Sequence, residues 1–315
     1  MKLWLKIILI IVFAVVSLLG FILIALWTPD KSLVELKEKW ARPPSSFITV
    51  DGMQVHVRDE GIQSDSTPIV LLHGNSSSLH AWGGWADALS IQKRVIRMDL
   101  PAFGLTGPNP SDDYRITTYT QFVIKVMDAI KVRKFILAGN SLGGEIAWNL
   151  AYSHPERVEK LILIDASGYA FSSASEPIAF KIARTPVLGK LLEYILPHSI
   201  VEKSVRNVFG NPEKATSDII DRVSDLTLRP GNRRALPLRL AQRFKSNPDN
   251  IKSITTPTLI LWGGKDRLIP PEVALWFKRD IKGASLVVLD ELGHVPHEED
   301  PLVTVNEVKR FLELR

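Results

Sequence analysis

The chain has 315 residues, a formal charge of +5 and 45% apolar residues, which is enough for a large packed core. It contains no cysteine, so disulfide bonds, zinc–thiolate sites, iron–sulfur clusters and thiol catalysis are excluded. The basic residues are scattered rather than gathered in a run with interleaved aromatic residues, so we expect no nucleic acid partner.

The N-terminal stretch has the pattern of a membrane segment. Residues 7–27 carry no charge, and a helix of this length can cross a hydrocarbon core of about 30 Å. Lys2 and Lys6 precede the stretch and mixed charges follow it, which favours a cytoplasmic N-terminus. We expect a single-pass cell-membrane anchor with the folded part extracytoplasmic. The alternative is a signal peptide whose cleavage gives a secreted protein, although the stretch ends without a good small-x-small cleavage site.

The next residues form a linker and then a predicted β-hairpin. Residues 31–46 combine a short charged helix with a proline-rich segment. Residues 47–50 and 53–58 alternate in polarity around Asp51-Gly52, a dipeptide typical of hairpin turns.

After the hairpin, short apolar runs alternate with segments that can hold helices. This order is typical of an α/β protein with a mostly parallel sheet covered by helices on both faces. The predicted strands are residues 69–72, 95–98, 135–138, 161–164, 259–262 and 286–289, and the predicted helices are residues 118–130, 145–152, 272–277 and 302–314.

One long departure interrupts the alternation. Residues 169–254 contain helical patterns and no convincing strand, so we expect a helical lid over the carboxyl ends of the strands, where open α/β sheets bind ligands. The chain then divides into an anchor (1–30), a linker (31–46), a first core part (47–168), the lid (169–254) and a second core part (255–315).

The segment Gly139-Asn140-Ser141-Leu142-Gly143 fits the pattern G-x-S-x-G between a predicted strand and a predicted helix. The serine of such a turn sits in strained backbone, so the positions two before and two after must be nearly bare. The helix behind Ser141 also points free backbone N–H groups at the place where an oxyanion would form. Ser141 is the candidate nucleophile, and the N–H of Leu142 is the first candidate oxyanion donor.

A serine nucleophile needs a base, and chain order favours His294, which follows the last predicted strand. His297 is its rival, because the run from His294 to Glu299 resembles a metal-ligand cluster. We expect these residues on a loop without H-E-x-x-H spacing, and therefore no metal. The remaining histidines are expected to be surface, packing or structural residues: His56, His73, His80, His154 and His198.

The base needs an orienting acid. Asp266 follows the predicted strand 259–262, and Asp165, at an earlier strand end, could do the same job; chain order favours Asp266. Asp99 precedes the nucleophile and is expected to be structural. In the loop after the first parallel strand, Gly74 permits a tight turn that leaves the N–H of Asn75 free as the second oxyanion donor.

These motifs together resemble those of the α/β-hydrolase superfamily over residues 47–314: His73-Gly74, Asp99-Leu-Pro-Ala-Phe-Gly104, Gly139-Asn-Ser-Leu-Gly143, Trp262-Gly-Gly-Lys-Asp266 and Gly293-His294. Within the superfamily the chain is similar to membrane-anchored bacterial lipases and carboxylesterases, including triacylglycerol lipases. The resemblance implies a Ser141, His294 and Asp266 triad, oxyanion donors at Asn75 and Leu142, an acyl ester or lipid substrate, and no cofactor.

Two other functions stay open. Carbon–carbon hydrolases of ring-cleavage products share Gly-Asn-Ser-x-Gly-Gly, but they commonly have tryptophan after the catalytic histidine, where this chain has Val295. The Asp99 motif also resembles that of haloalkane dehalogenases and epoxide hydrolases. Those enzymes use an aspartate nucleophile where this chain has Ser141, which argues against both. A membrane-tethered binding protein could also retain the fold without catalysis.

Overall fold

The protein is built on an eight-stranded sheet. The computed structural model describes residues 3–191, 193–242 and 246–315, without the side chains of residues 19, 22, 23, 178, 179 and 186–188. The strands are β1 Ser45–Val50, β2 Met53–Gly61, β3 Ile69–Leu72, β4 Arg94–Met98, β5 Phe135–Asn140, β6 Val158–Ile164, β7 Thr258–Gly263 and β8 Ser285–Leu289. Their order in the sheet is β1-β2-β4-β3-β5-β6-β7-β8.

Only the two strands at one edge depart from parallel pairing. β2 runs antiparallel to β1 and to β4, whereas the pairs from β4 through β8 are parallel. The hairpin predicted at Asp51-Gly52 is confirmed, and both turn residues have positive φ angles of 48° and 77°. Positive φ at both central positions matches the right-handed twist of the flanking strands.

The helices are α1 Leu3–Ala25, α2 Leu33–Trp40, α3 Gly83–Leu89, α4 Ile116–Ala129, α5 Leu142–Ser153, α6 Ile178–Ala183, α7 Pro186–Leu191, α8 His198–Val208, α9 Ser217–Thr227, α10 Asn232–Gln242, α11 Glu272–Asp280, α12 Pro296–Glu299 and α13 Pro301–Leu312. Two of them, α3 and α12, were not predicted. The expectation that the run from His294 to Glu299 lies on a loop was wrong for Pro296–Glu299, which form a short helix.

The sheet is buried on both faces, as the continuous apolar runs predicted. Along β3, Val70 and Leu72 pack into one core cluster, while Ile69 and Leu71 pack into another. Residues from α4, α5 and α11 belong to the first cluster, and residues from α3 and α13 belong to the second. Since successive side chains of a strand point to opposite faces, helices cover the two faces of one sheet.

Between β6 and β7 the chain leaves the sheet and forms α6 to α10. Within the described residues of this insertion there is no strand element. The insertion has a small core of its own. In it, Ile220 of α9 packs with Val201 and Val205 of α8 and with Phe209, which directly follows α8. The predicted lid boundaries, 169–254, include residues 192 and 243–245, which lie outside the described residues.

The N-terminal helix α1 exposes large apolar side chains, with Leu3, Phe13 and Ile24 more than 70% exposed. Considering only residues with described side chains, no helix is long and apolar enough to cross a membrane. The predicted anchor over residues 1–30 includes residues 1, 2, 19, 22 and 23, which fall outside that set. The following helix, α2, is capped by the Ser32 hydroxyl, which accepts a hydrogen bond from the N–H of Glu35.

Candidate active site

The turn between β5 and α5 holds Ser141 in a conformation that ordinary side chains rarely adopt. Its φ and ψ angles are 53° and −112°. The N–H of Ser141 donates to the carbonyl of Ile164 at 3.0 Å, and its carbonyl accepts from the N–H of Glu145 at 3.0 Å. These bonds hold the strained residue at the carboxyl edge of the sheet.

The two glycines of the motif are required by close backbone contacts. A Cβ atom on Gly139 would lie 2.2 Å from the carbonyl oxygen of Gly143. A Cβ atom on Gly143 would lie 2.1 Å from the carbonyl oxygen of Leu72. Both distances are far below van der Waals contact, so the steric reason given for the G-x-S-x-G spacing is confirmed.

His294 lies on the loop after β8 and is held by Asp266 on the loop after β7. Its Nδ1 is 2.7 Å from Asp266 Oδ2, and the two side chains are 5% and 0% exposed. Asp266 Oδ1 accepts from the N–H groups of Leu268 at 2.8 Å and Ile269 at 3.0 Å, which fixes the carboxylate. Because Nδ1 faces the acid, Nε2 is the ring nitrogen left for proton transfer.

A cavity of about 200 Å³ joins the candidate residues. Ser141, His294, Asn75 and Leu142 all line it, while Asp266 lies behind the histidine. The N–H groups of Asn75 and Leu142 have no hydrogen-bond partner within the described part of the chain. The structure therefore places four of the five predicted site residues around one space, and the fifth is bonded to one of them.

His73 holds the loop that carries Asn75. The N–H of Leu100 donates to His73 Nε2 at 3.0 Å, so Nδ1 carries the proton and donates to the Gly74 carbonyl at 2.7 Å. Burial lowers the pKa of His73, which keeps the ring neutral for this arrangement. Gly74 is close to the nucleophile turn, because a Cβ atom there would lie 2.7 Å from Asn140 Oδ1. His73 thus has the structural place that was expected.

His297, the rival base, is buried beside Trp82, with ring centroids 4.0 Å apart. Burial lowers its pKa to about 3. Among the described residues, the one group of three His, Asp or Glu side chains close enough to share a metal ion consists of Asp165, Asp266 and His294, not of His297 and its neighbours. His297 therefore packs behind the site rather than lining its cavity.

His56 and Asp99 form a buried pair on β2 and after β4. His56 Nδ1 is 2.7 Å from Asp99 Oδ2, and Asp99 also accepts from the N–H groups of Leu79 and Leu105 at 2.8 and 2.7 Å. The carboxylate of Asp99 thereby joins β2 to the segments that carry Leu79 and Leu105, which agrees with its expected structural role.

Sequence reasoning missed two residues that hold His294. Asn140 Nδ2 donates to the carbonyl of His294 at 2.9 Å, joining the nucleophile turn to the histidine loop. Glu299 accepts from the N–H groups of Gly210, Asn211 and Gly293, each at 2.8 Å. Asn140 lies inside the recognised motif and could have been noticed. Glu299 carries no local signal, because its partners in the insertion are 88 and 89 residues away.

The two candidate acids are neighbours. Asp165 is fully buried at the end of β6, and its Oδ1 accepts from the N–H of Gly263 at 2.9 Å. Burial and then the adjacent Asp266 charge raise the pKa of Asp165 well above its ordinary value. Asp266, by contrast, makes the hydrogen bond to His294.

A doubly covered, mostly parallel sheet with a strained serine turn defines the α/β-hydrolase class. The sequence profile of the Alpha/beta hydrolase family matches residues 69–308, so the chain belongs to this family.

Comparison with known proteins adds three relatives. The chain is 26% identical over 279 residues to a 2-hydroxy-6-oxo-2,4-heptadienoate hydrolase from Pseudomonas putida, covering 84% of this chain and 95% of that protein. It is 26% identical to the uncharacterized hydrolase YugF from Bacillus subtilis, covering 85% and 98%. The solved structure of a membrane phospholipase A, described as a bacterial virulence factor, has a TM-score of 0.72 at 26% identity, covering 99% of this chain and 98% of that one.

Proposed function

We propose that this α/β hydrolase is a serine ester hydrolase that cleaves acyl esters through Ser141, His294 and Asp266. The observation that carries the proposal is the shared cavity: Ser141 and His294 both line it, and His294 is fixed by a 2.7 Å bond to Asp266. A serine hydroxyl is a weak nucleophile, and a positioned imidazole is the group that activates it.

The geometry supports the following sequence of steps. Ser141 Oγ attacks the ester carbonyl carbon while His294 Nε2 takes its proton. The oxyanion accepts hydrogen bonds from the backbone N–H groups of Asn75 and Leu142. His294 then returns the proton to the leaving alcohol. A water molecule, deprotonated by His294, then hydrolyses the acyl-enzyme. Loss of one oxyanion donor typically costs about 10²- to 10³-fold in rate.

The rest of the cavity supports a substrate with an apolar acyl chain. Its walls include Phe171, Phe180, Val201, Val205, Phe209 and Ile219. These residues come from the insertion between β6 and β7, so we assign that insertion the role of a lid that forms the acyl site. Apolar walls with a few placed polar groups are typical of ligand pockets. A lipidic ester, such as a triacylglycerol, fits this lining.

Hydrolysis of p-nitrophenyl esters from acetyl to palmitoyl tests the proposal, with Ser141→Ala as the control. We expect turnover that depends on Ser141 and that persists on long chains for a lipase. A sharp fall after butyryl would indicate a carboxylesterase for small esters. Absence of turnover at every length, in protein whose Ser141 is accessible to a fluorophosphonate, would contradict ester hydrolysis.

A second candidate is carbon–carbon bond hydrolysis. Its support is the similarity to the Pseudomonas putida hydrolase, whose name gives a 2-hydroxy-6-oxo dienoate as substrate. Val295, which lines the cavity beside His294, stands where such enzymes commonly have tryptophan. Turnover of a vinylogous 1,5-diketone with none on short acyl esters would favour this candidate. Failure of a fluorophosphonate to label Ser141 in folded protein would favour a binding protein instead.

We also propose that the N-terminal segment attaches the protein to a membrane as a single-pass anchor, with the folded part extracytoplasmic. The support is the charge-free run of residues 7–27, the exposed apolar side chains of α1, and similarity to a membrane phospholipase A over 99% of this chain. Carbonate extraction of host membranes is the test: the full chain should stay in the pellet, and a fragment starting at Ser32 should not. Release of a shortened soluble form into the medium would indicate a cleaved signal peptide.

A further inference from the structure

Two buried carboxyl groups lie side by side behind His294. Asp165 ends β6 and Asp266 follows β7, and these strands are parallel neighbours, so their carboxyl ends meet at one edge of the sheet. A carboxyl oxygen of Asp165, a carboxyl oxygen of Asp266 and a ring nitrogen of His294 all lie within 4.8 Å of one another. Both carboxyl side chains are fully buried.

The hydrogen bonds of the two groups are unequal. Asp266 accepts three N–H groups, from the His294 ring and from the backbone of Leu268 and Ile269. Asp165 accepts one, from Gly263 at Oδ1, and its Oδ2 has no partner among the described residues. Donors therefore stabilise a negative charge on Asp266. A second charge on Asp165 would leave a bare oxygen buried beside a carboxylate, which is strongly unfavourable.

A proton on Asp165 Oδ2 resolves both problems. It removes the second negative charge, and it turns the bare oxygen into a hydrogen-bond donor. The titratable groups around Asp165 all act in the same sense or are already paired: Asp266 and Glu299 are carboxyl groups that disfavour its ionisation, and His294 is bonded to Asp266.

We propose that Asp165 is a positioning residue that stays protonated at neutral pH and donates a hydrogen bond to the Asp266 carboxylate. Asp266 then keeps one negative charge and a fixed orientation toward His294. The inference rests on the proposed triad of Ser141, His294 and Asp266. It has a second consequence: if Asp266 is made neutral, the like charge that opposes ionisation of Asp165 disappears while the burial remains, so Asp165 ionises more readily and can take over part of the acid role.

The pH profile of kcat/KM on p-nitrophenyl butyrate tests the charge state. In Asp165→Asn an amide N–H replaces the carboxylic O–H at the same charge, so we expect the acid limb to stay at its wild-type pH, with at most a several-fold loss of rate. Removal of a real negative charge would disfavour the protonated form of the catalytic base and move the acid limb to lower pH. A displacement in that direction would overturn the proposal.

A double-variant comparison tests the reserve role. Replacing the acid of a serine triad by its amide costs about 10⁴-fold in chymotrypsin-type proteases, whose triad is the reference case. We expect Asp266→Asn to lose less than this, and the double variant Asp165→Asn with Asp266→Asn to fall at least about tenfold further. A double variant as active as Asp266→Asn alone would contradict the reserve role and the coupling of the two carboxyl groups.

An infrared measurement separates this inference from the proposed function, because it needs no substrate. Full-length protein labelled with ¹³C-aspartate should show an isotope-shifted C=O stretch of a protonated carboxyl group at pH 7, and Asp165→Asn should lack it. If the band is present but no ester is hydrolysed, only the proposed function fails. If the wild type hydrolyses esters and only ionised aspartate bands are seen at pH 7, this inference fails.

Discussion

At the scale of single residues, two buried aspartates at the carboxyl ends of different strands are driven to opposite charge states. Burial tends to raise the pKa of Asp99, but His56 and two further histidines outweigh it and leave that pKa well below its ordinary value. Asp165 is buried to the same extent but lies beside Asp266, to which the nearby His294 is bonded, so burial and the like charge act together and raise the pKa of Asp165. Partners, rather than burial alone, decide which carboxyl group is ionised.

The raised pKa of Asp165 predicts a pH-dependent stability. The folded state keeps the proton, while the unfolded chain loses it above the ordinary carboxyl pKa of about 3.9. The stability that this bound proton gives to the folded state is therefore complete below that pH. It decreases as pH rises toward the raised folded pKa, by up to about 1.4 kcal/mol per pH unit. Asp165→Asn removes this decrease in stability with pH. The free energy of unfolding of the variant, relative to that of the wild type, should therefore increase between pH 5 and 8.

Urea unfolding of the detergent-solubilised chain at several pH values checks this difference. Asp99→Asn is the matched control. The depressed pKa of Asp99 gives stability that is present above the ordinary carboxyl pKa and lost as pH falls through the folded pKa. Asp99 therefore stays ionised and itself contributes no pH dependence to the stability between pH 5 and 8. A flat difference for Asp165→Asn would mean that Asp165 is ionised in the folded state.

Gly143 gives a prediction about the loop that carries Asn75, the proposed second oxyanion donor. The Cβ of Gly143→Ala would lie 2.1 Å from the carbonyl oxygen of Leu72, directly before His73 and Gly74. We expect about 1–3 kcal/mol of destabilisation and a loss of kcat of at least about tenfold, because the backbone carrying Asn75 must move away from Ser141.

Gly83→Ala is the control for this substitution. A Cβ atom on Gly83, at the start of α3, would meet nothing closer than Arg97 at 3.9 Å. Stability should be unchanged or should rise by about 0.5–1 kcal/mol, and the melting temperatures and rates of the two variants are compared directly. Equal melting temperatures and rates for Gly143→Ala and Gly83→Ala would show that the turn between β5 and α5 tolerates a methyl group at Gly143.

At the scale of elements, the insertion and the histidine loop are joined through Glu299 of α12. Its carboxylate accepts three backbone N–H groups, and the N–H of His294 donates to the carbonyl of Val208, the last residue of α8. Gly210 and Gly293 touch at this junction, since a Cβ atom on Gly293 would lie 2.3 Å from the Gly210 nitrogen. The position of His294 therefore depends on the end of a helix in the insertion.

Glu299→Gln tests that dependence. The amide offers one acceptor oxygen and turns an N–H group toward backbone donors, so we expect a loss of about 2–3 kcal/mol in stability and a lower kcat. Thermal unfolding and ester hydrolysis measure both effects. Glu291→Gln is the control, because the Glu291 side chain is exposed and, among the described residues, pairs with Lys265 alone; its stability should stay within about 0.5 kcal/mol of wild type. Equal effects of the two variants would contradict a holding role for Glu299.

The parallel strands could be predicted from sequence because each contains a nearly continuous apolar run, and β3 begins and ends where the run does. Helix α3, with the sequence GGWADAL, was missed because two glycines oppose helix formation and only packing on the sheet stabilises it. Helix α12 was missed because four residues carry no periodicity.

The candidate site could be proposed from sequence because its turn has a steric requirement that glycines make visible. No comparable steric requirement decides from sequence whether Asp165 or Asp266 is the acid. Both follow adjacent parallel strands, so local pattern gives them equal access to the histidine. The 2.7 Å contact of Asp266 Oδ2 with His294, and the bare Oδ2 of Asp165, separate their places only in three dimensions.

At the scale of the whole molecule, the segment after α1 is tied to the insertion. Asp225 of α9 pairs with Lys31 and Lys39, both at 2.8 Å, and accepts from Trp40 Nε1 at 3.0 Å. The Trp27 ring stacks on the Tyr194 ring with centroids 5.1 Å apart, and Trp27 also forms an isolated antiparallel β-bridge with Ile195. The chain that leaves α1 therefore contacts the same insertion that lines the cavity of Ser141.

These contacts predict how a fragment starting at Ser32 differs from the full chain. The fragment lacks Asp30, which is 2.6 Å from the buried Arg233, and Lys31, but it keeps Lys39, Trp40 and the core residue Leu36. Because removal of Asp30 leaves Arg233 without its carboxylate partner, we expect a loss of about 1–3 kcal/mol while Ser141-dependent ester hydrolysis persists.

Asp30→Asn in the full chain isolates that ion pair from the rest of the N-terminal segment. Thermal unfolding of the fragment, the variant and the wild type in one detergent compares the three. We expect the variant to account for most of the stability that the fragment loses, while it still pellets with membranes after carbonate extraction. A fragment as stable as the full chain would show that the segment before Ser32 contributes nothing to holding the insertion. The contacts of Trp27 and Asp30 would then not determine the position of the insertion.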